Sequence, residues 1–158
     1  MYRSLLKIKT LLESTFGGTF KSYFIDNPNL IPLSETPCVA VEPISSEINI
    51  ADTGRDVWTY TIDIHLIIDA KQELLKYKKE MVGTQYLTEI MEAKDSDGAL
   101  KANTILYILR SNLRLGDNWY IDNLSRIDYA LRTRGSVPNQ YVVKESTCRL
   151  SIKQIIVR

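Results

Sequence analysis

The segment DVWTYTIDIHLIIDA, Asp56 to Ala70, constrains the fold more than any other stretch of this chain. Read alternately, it presents two faces. Trp58, Tyr60, Ile62, Ile64, Leu66 and Ile68 form one, and Val57, Thr59, Thr61, Asp63, His65 and Ile67 form the other. Period-two alternation of this kind argues for a β-strand. A strand from Val57 to Ile68 spans about 40 Å at ~3.3 Å per residue, roughly twice the usual length. It is long enough to cross a whole domain and project past it. The second face is the more polar one, and it carries the only histidine of the chain.

The remaining elements are expected around this strand. Residues 3–15 read as an amphipathic helix, with Leu5, Ile8, Leu11 and Leu12 at helical spacing and the glycines of FGG at its end. IDNPNLIPLSETP holds three prolines and reads as an extended connection. CVAVEPI, Cys38 to Ile44, is a short strand, and SSEINIADTGRD links it to the long strand as a hairpin-like excursion. QELLKYKKEMVGTQYLTEIMEAK and ALKANTILYILRSN are helical segments. For the second of these, Asp97 is the expected N-cap, Leu113 belongs to the apolar stripe and Gly116 sits just past the end. LSRIDYALRTRG and QYVVKESTCRLSIKQ alternate as strands across the turn residues GSVPN, so they should pair antiparallel. The expected fold class is α+β in the order α-β-β-α-α-β-β. A mainly antiparallel four-stranded sheet carries helices on one face, in a single domain over residues 1–158.

Apolar residues make up 44% and charged residues 25%, as in ordinary globular chains. No apolar run approaches the roughly 20 residues of a membrane-spanning helix. Lys7 and Lys9 interrupt the N-terminal apolar stretch, so a signal peptide is not expected and the chain should stay in the cytoplasm where it is made. Cys38 and Cys148 fall in strands and read as free buried thiols. Charge is unevenly distributed. Residues 1–100 hold 10 Lys and Arg against 15 Asp and Glu, whereas residues 101–158 hold 10 against 4. Such asymmetry suits subunits meeting face to face or a basic surface near nucleic acid; the alternative is that both halves interleave and the charges mix.

Catalytic patterns are weak. One histidine and two separate cysteines make no zinc set. Asp63, His65 and Asp69 share a strand face, but the simpler reading of His65 is an exposed or interfacial spectator. DSDG lacks the glycine and glutamate of a calcium loop, FGGTFK follows a helix and lacks a phosphate-binding lysine, and no nucleophile elbow occurs. Neither an enzyme nor a cofactor is expected. Arg126, Arg132, Arg134, Arg149, Lys153 and Arg158 lie on or near the last two strands and offer a basic surface for phosphates, with Tyr129 and Tyr141 as candidate stacking residues. Solvated arginines beside Asp128 and Glu145 are the simpler account. Nine tyrosines and an exposed strand end at TGRDVW point instead to association with other chains.

In layout and length, the chain resembles the tail-terminator (tail-completion) proteins of long-tailed bacteriophages. The resemblance rests on the N-terminal helix, TPCVAVEPI, the excursion ADTGRDVW, the strand WTYTIDIHLIIDA, helical residues after it and two long terminal strands. It implies a structural virion protein without catalytic residues, metal or cofactor. The implied subunit is α+β and forms a homohexameric ring. That ring caps the head-proximal end of the tail tube protein, ends polymerisation and meets the connector or stopper of the head neck. Genomic DNA would pass through it without sequence-specific binding, and no membrane is involved. On this resemblance Arg55, Asp56, Trp58, Thr59, Thr61, Asp63 and His65 are subunit-interface candidates. Arg126, Arg132, Arg134 and Arg149 are candidates to face the lumen and its DNA. The alternatives are a small nucleic-acid-binding α+β domain using the basic C-terminal sheet face, and a related neck or head-completion protein.

Overall fold

The computed structural model describes residues 2–52, 54–70, 82–116 and 118–157. The elements are α1 (Tyr2–Phe16), β1 (Ser22–Ile25), β2 (Cys38–Asp52), β3 (Arg55–Asp69), α2 (Val82–Glu92), α3 (Ile105–Ser111), β4 (Arg114–Gly116), β5 (Trp119–Arg134) and β6 (Tyr141–Val157). Short 3-10 turns occupy Gly17–Thr19 and Leu33–Glu35.

The expected four-stranded sheet in the order α-β-β-α-α-β-β is incorrect. The strands form one six-stranded sheet, curled into a half-barrel and ordered β1-β2-β3-β6-β5-β4. It is mixed, because β1 runs parallel to β2 over Cys38–Val41 while the other neighbours are antiparallel. Both missed strands are too short for alternation to register. β1 is SYFI, hidden between glycine-rich and proline-rich segments, and β4 is only RLG. β2 is also longer than CVAVEPI, because the polar residues SSEINIAD continue the ladder opposite β3. Register shifts at Pro43/Ser45 and Ile50/Asp52 bend this strand locally.

β3 is the spine. It is paired with β2 from Arg55 to Ile67 on one side and with β6 from Arg55 to Asp69 on the other. Its Tyr60, Ile62, Ile64, Leu66 and Ile68 face the main core together with Cys148, Leu150 and Ile152 of β6. Leu5, Ile8 and Leu12 of α1, Leu87 and Met91 of α2, and Ile105, Leu106, Ile108 and Leu109 of α3 close that core from above. Burial of each large side chain contributes about 1.5–3 kcal/mol, so this layer dominates the stability. The expected helix from Gln72 is described only from Val82 onward, and its first half lies outside the described residues. Helix α3 is shorter than expected, and its N-cap is Thr104, not Asp97. The Thr104 hydroxyl accepts from the Tyr107 amide at 3.2 Å, whereas Asp97 sits in a turn seven residues upstream. Leu113 falls outside the helix and is exposed.

The opposite face of the sheet is not a wet one. Ile31, Cys38, Ala40, Ile67 and Val143 form a second, smaller core on it. Tyr141 pins the covering segment, its hydroxyl donating to the Ile31 carbonyl and accepting from the Ile31 amide. Both cysteines are buried and free, and burial pushes their thiols up to about 12.

Candidate functional site

Strand register brings the polar side chains of the second face into rows that cross the sheet. One row reads Glu42, Asp63, Arg149, Arg126 across β2, β3, β6 and β5. The next reads Ala40, His65, Thr147, Asp128, and the third Cys38, Ile67, Glu145, Ala130. Acidic groups of the first half of the chain thus meet basic groups of the second half at the β3–β6 seam.

His65 is the centre of this array and is only 5% exposed, so it is not the exposed spectator expected of a polar strand face. Its Nε2 lies 2.7 Å from Glu42 Oε2 and its Nδ1 lies 2.6 Å from Glu145 Oε1. Thr147 Oγ1 stands 3.1 Å from the same Nδ1. Carboxylates thus stand at both ring nitrogens, so both are engaged within the fold.

Glu145 is shared. Arg134 NH2 donates to its other oxygen at 2.7 Å, and Arg134 NH1 donates to the Pro28 carbonyl at 2.9 Å. Burial alone would raise the Glu145 carboxyl. The hydrogen bonds from His65 and Arg134 outweigh it and hold the group at about 2, well below its ordinary value of 4.5. Asp63, also buried, accepts a two-pronged pair of bonds from Arg149, Nε at 2.8 Å and NH2 at 2.7 Å. Asp69 is buried as well, but Asp63 faces Arg149, so Asp63, His65 and Asp69 do not converge as a ligand set. Among the described residues no group of three or more His, Cys, Asp and Glu is placed to hold a metal ion.

The interface candidates on β3 fall into two groups. Arg55 is exposed at the strand's start, while Asp56, Trp58, Thr59 and Thr61 are half-buried. Trp58 stacks on Tyr60, which stacks on Trp119, with centroids 6.1 and 5.2 Å apart. Asp63 and His65 are spent on internal pairs. β3 moreover offers no free backbone edge, since both its sides are laddered, so an edge contact passes to β2 and β5. The lumen candidates also divide. Arg132 is exposed, Arg126 is exposed but paired with Asp128 at 2.7 Å, and Arg149 is part-exposed over Asp63. Arg134 is buried and directed inward at Glu145, so it does not offer its charge to a channel.

The chain matches no protein-family model and no curated protein. Glu42 and the buried role of Glu145 are what sequence reasoning missed. Neither lies near His65 in the chain, and only the pairing of β2, β3 and β6 brings them together.

Proposed function

We propose that this chain is a structural ring subunit, a homohexamer that terminates the tail tube of a long-tailed bacteriophage and joins it to the head neck. The observation that carries the reading is the arm at one end of the sheet. From Ile44 to Ile50 every residue of β2 is exposed, and the strand continues as a ribbon with the start of β3 and the end of β6. This arm presents Ile48, Ile50, Ile156 and Val157 to solvent, at 55%, 72%, 38% and 69% exposure. Clustered exposed aliphatics on an open sheet mark a surface built to be covered by another protein. The nucleic-acid alternative draws less support, because Arg126, Arg134, Arg149 and Lys153 each already hold a carboxylate.

Native mass on nucleic-acid-free protein tests the reading. The subunit weighs 18.1 kDa, and a species about six times heavier is expected, in solution or on the ends of purified tail tubes. Protein that remains at the subunit mass and leaves tube ends bare in electron micrographs overturns it. Trp58→Ala removes the half-buried ring that lies opposite Ile48 within the arm. It is expected to lower the assembled fraction while the far-ultraviolet spectrum stays that of the folded chain. Wild-type assembly in that variant would remove Trp58 from the contact.

A further inference from the structure

Among the described residues the sheet is open at both sides, and the two open edges differ in character. β1 covers β2 only along Cys38–Val41, leaving β2 from Pro43 to Asp52 without an outer strand among the described residues. On the other side β4 pairs with β5 only at Trp119 and Tyr120, leaving Asp122 to Thr133 likewise uncovered. The free stretch of β2 and its Glu42 border carry Glu42, Glu47 and Asp52 and no lysine or arginine. The uncovered stretch of β5, Asp122 to Thr133, is balanced, with Arg126 and Arg132 against Asp122 and Asp128. The same division holds for the whole sheet, with β2 and β3 at net −5 and β4, β5 and β6 at net +4.

Resting on the ring reading above, we infer that the β2 edge of one copy pairs antiparallel with the β5 edge of the next, Ile48 opposite Leu131 and Glu47 opposite Arg132. Three properties of the fold select this arrangement. The first is charge. Pairing β2 with a second β2 sets acidic edge on acidic edge, whereas β2 on β5 brings Glu47 to the exposed Arg132.

The second is direction. β2 runs with β6, and β5 runs against β6, so a β2 added beyond β5 in a continuing sheet lies antiparallel to it.

The third is the two-face match. Ile48 is registered to Trp58 and Ile50 to Asp56, which places both isoleucines on the helix-side face. Ile127 is registered to Cys148, so Tyr129 and Leu131 occupy the same face of β5. Setting Ile48 on Leu131, which is 66% exposed, puts Ile50 on Tyr129 and covers apolar with apolar. On the other face the same register puts Glu47 on Arg132 and Asn49 on Ala130. A slip of one residue would set Ile48 on Arg132 in one direction and Ile50 on Asp128 in the other.

The two free edges lie at opposite ends of the sheet, β2's beside the start of β3 and β5's beside the start and middle of β6. Each copy is therefore staggered along the strand direction relative to the last. Stagger of this kind is what a closed, tilted array of strands requires. A contact between two different patches propagates head to tail, and it gives a ring where the rotation between copies closes.

Charge exchange and a disulfide ladder test the pairing. Glu47→Arg and Arg132→Glu are each expected to raise the concentration for half-assembly about tenfold, and the double variant should restore it. Asn49→Cys combined with Ala130→Cys should give, after oxidation, a ladder of covalent multimers up to six on a non-reducing denaturing gel. The native thiols are buried and do not contribute. An assembled wild type whose double charge variant is not restored, with no ladder, overturns this pairing and leaves the ring standing. A covalent dimer from Asn49→Cys alone shows β2 meeting β2 and overturns it too. A wild type that stays at 18.1 kDa with and without tubes overturns the ring and this contact together.

Discussion

Glu145→Ala is expected to cost about 3–5 kcal/mol of folding stability, the range for breaking a buried ion pair from one side. The substitution removes a partner from two buried side chains at once. Arg134 loses the carboxylate 2.7 Å from its NH2, and His65 loses the partner at 2.6 Å from its Nδ1. Both side chains are buried, so water does not replace what is lost. Urea denaturation should show the midpoint falling with little change in slope.

The acid limb of stability gives the same network a second signature. Glu145 is held at about 2 when folded against an ordinary 4.5. A carboxyl depressed by folding stabilises the native state fully above its unfolded value and loses that contribution as pH falls through its folded value. The window for Glu145 is therefore about pH 4.5 down to about pH 2. Glu145→Gln should flatten the acid limb there relative to wild type. An unchanged limb would show that other carboxylates govern acid unfolding.

Trp119→Ala is expected to be comparably damaging, about 3–5 kcal/mol for a buried tryptophan. Trp119 is buried at the start of β5, where it packs on Tyr60 of β3 and is registered to Gln154 of β6. It thus ties together three strands that are distant in sequence. The two tryptophans of the stack should behave oppositely. Trp119→Ala should lower the urea midpoint sharply, while Trp58→Ala should lower it less and act chiefly on assembly. Equal midpoints for the two variants would contradict the difference in burial.

The long strand and the pairing of β5 with β6 were legible because alternation over many residues survives any local context. The second face of β3 was not. Asp63 and His65 read as wet because they are polar, yet both are buried, and their partners Arg149, Glu42 and Glu145 sit on other strands. Arg134 lies in the run RTRG beside exposed Arg132 and looks no different from it in sequence. What separates them is the Pro28 carbonyl and Glu145, both supplied by distant segments. β2 was read too short for a related reason. Its outer half turns Ile48 and Ile50 to solvent instead of to a core, and it is held as a strand by β3 beside it. Helix α3 was read too long because Thr104 caps it from a turn whose Lys101 amide bonds to the Ala93 carbonyl.

Pro43 marks a seam between two parts of β2 with separate fates. Before it, the strand is held by β1 and the core; after it, the register shift leads into the arm. Residues beyond the seam touch the core little, so the arm can change length independently of the domain that carries it. Inserting two residues in each strand of the hairpin would carry the tip about 7 Å further while returning every later side chain to its original face. Reach is then an adjustable property of this fold, separable from stability, and related chains could fit partners of different width by trimming or extending a single hairpin.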